Sequence, residues 1–222
     1  MPVKDASIIE AIQKQIEKRP RFGYRRITVE LRKEGWVVNV KRVYRIWNDH
    51  DWAVPKKKGR KKRGHDGGSQ NACHKKKPEY INHVWSYDFM HQTLENGRKA
   101  KLLSVLDEYT RECLTIDVGT RITAQDVIDV LRYLFLVRGE PAFIPSDNGP
   151  EFTAKKVKKW LSVMGVKTLF IEPGSPWENG YMESFNGHMR DECLDREIFV
   201  GMEELRYICE KYRLDYNHHR PH

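Results

Sequence analysis

Residues 83–118 read HVWSYDFMHQTLENGRKAKLLSVLDEYTRECLTIDV, and three runs in this stretch, 83–92, 99–109 and 111–118, read as successive strands. Asn96-Gly97 separates the first two and Tyr109-Thr110 the second pair. An Asn-Gly step supplies the positive φ angles that a tight hairpin demands. A three-stranded meander is the expectation. The period then changes: Val127, Val130, Leu131 and Leu134 within 123–137 share one face of a helix. A strand at 142–146 ends in Asp147-Asn148-Gly149, and a helix (153–164), a strand (167–171), a Pro/Gly-rich loop (173–180) and helices at about 180–194 and 202–216 follow. The order β-β-β-α-β-α-β-α-α describes an α/β domain, a mixed sheet with helices outside.

Upstream, Ile8, Ile9, Ile12 and Ile16 mark a helix over 5–19 that Pro20 and Gly23 close, and a second at about 25–34 turns Ile27 and Leu31 inward before Gly35. A third begins near Asn39, a favourable N-cap, with Val40, Val43, Tyr44 and Trp47 on one face and Lys41, Arg42 and Arg45 elsewhere. Three short helices with a basic outer face resemble a helix-turn-helix unit. A helical bundle with a solvated basic face fits the same pattern.

The 222 residues carry 40 Lys and Arg against 31 Asp and Glu, but residues 41–80 alone hold 13 of the bases and four of the acids. The remaining 182 residues carry 27 of each sign, so the whole excess lies in one stretch. A polyanion suits it, because each neutralised phosphate releases condensed counterions. The run Lys56, Lys57, Lys58, Arg60, Lys61, Lys62 and Arg63, followed by Gly67-Gly68-Ser69, cannot bury a core. The expected organisation is a helix-turn-helix-like DNA-binding domain at 1–54, a basic flexible linker at 55–79 and a second domain at 80–222. Apolar runs such as 134–137 fall far short of the roughly 20 residues that cross a bilayer. Cys73, Cys113, Cys193 and Cys209 form no CxxC pair, and His65 and His74 complete no zinc-finger spacing. A soluble, cytoplasmic protein without a signal peptide, membrane partner or structural zinc is expected.

Three carboxylates stand where this order of elements can bring them together: Asp88 within the first strand, Asp147 at the end of the fourth, and Glu183 early in a later helix. With 31 acids in 222 residues, one falls at any chosen offset about one time in seven, so spacing alone is weak. The neighbouring residues are more specific. Trp85-Ser86-Tyr87-Asp88-Phe89, Leu106-Asp107-Glu108-Tyr109-Thr110-Arg111, Ser146-Asp147-Asn148-Gly149-Pro150-Glu151-Phe152 and Gly174 through Gly187 (GSPWENGYMESFNG) together closely resemble the OrfB part of the DDE transposases of the insertion sequence 3 family. Gly23-Tyr24-Arg25-Arg26-Ile27, Gly35-Trp36 and Lys41-Arg42-Val43 look like the helix-turn-helix segment that precedes that core.

The resemblance implies an RNase H-like integrase core, a mixed five-stranded sheet flanked by helices, after a small all-α domain. It implies a DNA strand transferase acting on double-stranded element ends and target, with Asp88, Asp147 and Glu183 as catalytic acids and metal ligands. Two Mg²⁺ or Mn²⁺ ions are the implied cofactors, with Asp88 between them. Arg190, seven residues after Glu183, matches a basic residue of the family and is expected at phosphate; pairing with Asp191 or Glu192 is the alternative. Asn179 is expected either to touch DNA or to cap the helix, and Asn186 and Gly187 are open to either role. Glu178 ranks behind Glu183 as the third acid, Asp107 is expected to order a turn with Thr110, Glu151 to sit at a helix start, and Trp85, Trp160 and Phe185 to be core. Pro145 departs from the family pattern. So does the stop after Tyr216-Asn217-His218-His219-Arg220-Pro221-His222, which suggests a truncated reading frame. An OrfA-type upstream segment, self-association in a synaptic complex and a nucleoid location are further implications. The rival functions are a non-catalytic DNA-binding regulator or transposase remnant, and a nuclease that hydrolyses without joining.

Overall fold

The computed structural model describes residues 5–53, 77–146, 155–170 and 180–220. The basic run at 56–63 lies outside them. The chain divides into two compact units, one holding three helices and the other all the described strands and four more helices.

In the helical unit, α1 (Ala6–Lys18), α2 (Tyr24–Lys33) and α3 (Val40–Asp49) bury Ile8, Ile12, Ile27, Leu31, Val43, Ile46 and Trp47, with Phe22 and Val38, in one apolar cluster. Helical spacing places these side chains inward, and each large one contributes about 1.5–3 kcal/mol by leaving water. The Asn39 side chain accepts from Lys41 N at 2.8 Å, as an N-cap does. The buried stripe of α3 differs from its sequence reading. Ile46 joins Val43 and Trp47 inside, while Val40 and Tyr44 are 36% and 47% exposed. Tyr44 instead meets Tyr24 at the rim, with ring centroids 4.8 Å apart.

The second unit is built on an antiparallel meander of β1 (Trp85–Thr93), β2 (Lys99–Asp107) and β3 (Cys113–Gly119). Central β2 is buried on both faces from Leu102 to Asp107, which explains why Leu102, Leu103, Val105 and Leu106 are apolar without alternation, whereas β3 alternates. Gly97 takes φ 76° in the first hairpin, as its turn requires. The second turn is ordered by Asp107: Oδ1 accepts from Tyr109 N at 2.8 Å and Thr110 N at 3.5 Å, and Oδ2 accepts from Asn82 N at 2.9 Å. These bonds end β2 at Asp107, two residues earlier than the expected 99–109.

Helix α4 (Ala124–Arg138) opens with a Thr123/Asp126 capping box and buries Val127, Ile128, Leu131, Leu134 and Phe135. Strand β4 (Phe143–Ser146) runs parallel to β5 (Lys167–Phe170), with α5 (Lys155–Val163) between them in sequence. The pair meets the meander through one parallel bridge, Val84 to Phe143, supported by Phe143 N donating to His83 O at 3.0 Å. Trp85 contacts Phe135 at 5.7 Å, and Phe135 stacks on Trp160 at 5.2 Å, so α4 and α5 cover one face.

Then follow α6 (Gly180–Met189), a π turn (Arg190–Leu194) and α7 (Met202–His218). α7 runs along β3, where Asn217 exchanges two 2.9 Å hydrogen bonds with the Cys113 backbone. No helix among the described residues is long and apolar enough to cross a membrane.

Candidate active site

Asp88 lies at the middle of β1, opposite Ser104 of β2. Its Oδ1 accepts from Phe89 N and its Oδ2 from Asn186 Nδ2, each at 2.7 Å. Residues two apart on a strand, and cross-strand partners, share a face. Ser86, Asp88 and Ser104 therefore point to the side where α6 lies. Ser86 Oγ, Ser104 Oγ and Asn186 Oδ1 are buried and have no hydrogen-bond partner among the described residues. Buried polar atoms are nearly always paired, so these three oxygens leave hydrogen-bonding capacity beside the Asp88 carboxylate.

α6 is held down by Met182, Phe185 and Met189, all fully buried. The stripe flanking this buried one carries Glu183, Asn186 and, seven residues on from Glu183, Arg190. Glu183 is exposed in the first turn, where the helix dipole favours a negative charge. Arg190 begins the π turn, with its Nη2 donating to His91 O at 3.1 Å. Its acidic neighbour is Asp195 at 3.9 Å rather than Asp191 or Glu192, because the wide turn closes from Asp195 N to Arg190 O at 2.8 Å. Asp88 and the helix bearing Glu183 are thus tied together by Asn186. Asp147, Asn179, Glu151 and Glu178 lie outside the described residues. Among the described residues no three His, Cys, Asp or Glu gather closely enough to hold a metal.

Asn186 is the contact to Asp88 that sequence reading left unassigned. Its position three residues after Glu183, on the same helical stripe, was the available signal. The donor set near Asp88 is all oxygen, which suits a hard divalent cation. Among the described residues Cys113, Cys193 and Cys209 are buried free thiols, and burial pushes Cys193 and Cys209 up to about 12.

In the helical unit, Lys41 is exposed, whereas Arg42 and Arg45 converge on Asp5. Arg42 Nη2 and Nε donate to Asp5 Oδ1 at 2.5 and 2.9 Å, and Arg45 Nη2 to Oδ2 at 2.6 Å. The Arg42 hydrogen bond, with both guanidinium charges, holds the Asp5 carboxyl below its ordinary value. The two expected DNA-contacting arginines thus also fasten α3 to the start of α1.

An integrase core domain family matches residues 79–176, a second integrase core domain description matches residues 164–222, and an HTH-like domain matches residues 2–61. The insertion element IS407 31.7 kDa protein of Burkholderia multivorans is 38% identical, over 92% of this chain and 72% of its own length. The insertion element IS476 39.2 kDa protein of Xanthomonas euvesicatoria is 39% identical, over 91% of this chain and only 57% of its own length. The transposase InsD for insertion element IS2D of Escherichia coli is 26% identical, over 98% and 75%. Among solved structures, a chain of the simian T-cell lymphotropic virus intasome in complex with PP2A regulatory subunit B56 gamma shares the fold with TM-score 0.54 and 16% identity, over 94% of this chain and 69% of that one. The BIV integrase catalytic core domain does so with TM-score 0.50 and 20% identity, over 64% and 87%. With an integrase core behind an HTH-like domain and insertion-element relatives along nearly its whole length, the chain belongs to the OrfB-type transposases of the insertion sequence 3 family, DDE-type polynucleotidyl transferases that act on DNA.

Proposed function

We propose that the chain cuts and joins DNA strands at the ends of an insertion element, with Asp88, Asp147 and Glu183 as its catalytic acids. One observation carries this reading. The parallel bridge pairs Val84 with Phe143, and four residues further along each segment stand Asp88 and Asp147. Asn186, bonded to Asp88, supports adding Glu183, which lies three residues before it on α6.

The oxygen donors and the unpaired Asn186 Oδ1 fit Mg²⁺ or Mn²⁺, which Asp88, Asp147 and Glu183 would hold, as two ions in our reading. When bound, such ions neutralise charge on the entering and leaving oxygens of an in-line displacement. The chain's own residues supply placement: Asn186 fixes the Asp88 carboxylate, and Arg190 offers a guanidinium to a phosphate oxygen beside β1. Water is the first attacking group, and the freed 3′-hydroxyl of the element end is the second. No covalent protein intermediate is needed.

Residues 1–54 and the basic residues 56–63 hold the element end in this reading, with Lys41, Arg42 and Arg45 on the third helix and Asn179 near the core's loop. An OrfA-type segment and further copies of the chain complete a synaptic complex at the nucleoid. Incubating the protein with a labelled duplex end and Mn²⁺ tests the reading. Joined products are expected; nicks alone support a nuclease, and binding without chemistry supports a non-catalytic regulator.

A further inference from the structure

Glu192 sits inside the π turn that follows α6, and a buried guanidinium reaches it from beyond α7. Arg220 is 6% exposed, and its Nε and Nη2 donate to Glu192 Oε2 and Oε1 at 3.0 Å each. Bidentate pairing of this kind is strongly directional. Taking both charges out of water is costly, and an apolar pair of similar volume commonly serves stability as well. Geometry, more than stability, is what such a pair adds. π turns are themselves rare and collect at functional sites.

Other contacts converge on the same turn. Arg190 Nη2 donates to His91 O, and Gln92 Nε2 donates to Leu194 O at 3.4 Å, so both ends of the turn rest on β1 just past Asp88. On the other side the Arg220 guanidinium lies 5.4 Å from the Tyr216 ring, and Tyr216 meets Phe185 of α6 edge-on at 4.9 Å. Asn217, three residues before Arg220, is fastened to Cys113 of β3. Arg220 is therefore itself anchored on the sheet and holds Glu192 from a fixed point.

We propose that Arg220 is a positioning residue for strand transfer: its paired hydrogen bonds to Glu192 fix the π turn, and through it the placing of Arg190 and of the Glu183 helix against Asp88. This rests on the proposed function, in which Arg190 faces a DNA phosphate and Glu183 would hold the metal ions with Asp88. Lysine cannot replace Arg220, because an ammonium is a point charge without the planar fork.

The test uses the whole chain, a labelled duplex element end and Mn²⁺, with hydrogen exchange of residues 186–195 read in parallel. Wild-type joining that disappears in Asp88→Asn upholds the underlying reading, and its absence counts against that reading alone, since exchange reports the anchoring without any joining. Arg220→Lys is expected to speed exchange in the turn several-fold and to lower the kcat of joining roughly 10- to 100-fold, with duplex affinity within about twofold. A turn protected as in wild type, or joining at the wild-type rate, overturns the inference. Arg220→Met combined with Glu192→Leu separates geometry from stability. It is expected to recover Tm while joining stays slow; recovery of both makes the pair merely structural and also overturns the inference.

Discussion

In the helical unit the buried polar side chains are paired within the unit: Asp5 with Arg42 and Arg45, Gln15 with Glu34 at 2.6 Å, and Thr28 with the Tyr24 carbonyl at 2.7 Å. In the sheet unit, Ser86 Oγ, Ser104 Oγ and Asn186 Oδ1 are buried around Asp88 without a hydrogen-bond partner among the described residues. The first arrangement uses polarity to fix helix against helix. The second leaves these oxygens unsatisfied beside a carboxylate, at a cost of about 1–3 kcal/mol for each buried group. Proteins tolerate such conflicts where chemistry requires them. The contrast points to where the proposed chemistry is housed.

The largest expected effect is on the reaction. Asp88→Asn should lower joining of a labelled duplex end by at least about a hundredfold while Tm stays level or rises, because a carboxylate is replaced by a near-isosteric amide. A joining assay beside a melting curve checks both. Asn186→Ala comes next: residues that orient a metal ligand typically contribute about 10- to 100-fold, so joining should fall by that amount and need more Mn²⁺. A metal titration of the joining rate reads this out.

Stability changes of opposite sign sharpen the contrast between the units. Ser104→Ala removes an unpaired buried hydroxyl and should raise stability by about 1 kcal/mol, whereas Gln15→Ala breaks a satisfied bond and should lower it by about as much. Denaturant unfolding of each variant measures the pair. The smallest effect concerns pH. The carboxyl of Asp5 titrates below its ordinary value in the folded chain, so its stabilisation is complete above the unfolded value near about 3.9 and is lost as pH falls through the lower folded value. The Tm gap between wild type and Asp5→Asn should therefore be widest at neutral pH and close in acid.

Much of this architecture was legible in periodicity and turn residues. Strands expected at 83–92, 99–109 and 111–118 run over Trp85–Thr93, Lys99–Asp107 and Cys113–Gly119, and a helix expected at 123–137 spans Ala124–Arg138. Those signals are local. The features that escaped are long-range: Arg42 meets Asp5 across 37 residues, Asn186 meets Asp88 across 98, and Arg220 meets Glu192 across 28. The π turn escaped for the same reason, since helical spacing ran smoothly over about 180–194 while contacts with β1 and Arg220 hold the chain wider after Met189. Of the candidate site, Asp88 could be assigned to a strand and Glu183 to a helix from pattern, but the hydrogen bond that ties them together had no signature in the sequence. On α3, Tyr44 and Ile46 both suit an apolar stripe, and only packing against α1 and α2 decides between them.

The most direct test of a shared acidic site is Mn²⁺ binding followed by electron paramagnetic resonance, on the whole chain with a bound duplex end, for wild type and for Asp88→Asn, Asp147→Asn and Glu183→Gln. Each single variant is expected to weaken binding of the same ions by at least about tenfold, as loss of one ligand from a common set does. Wild-type Mn²⁺ affinity in any of the three would contradict a site built from all of them.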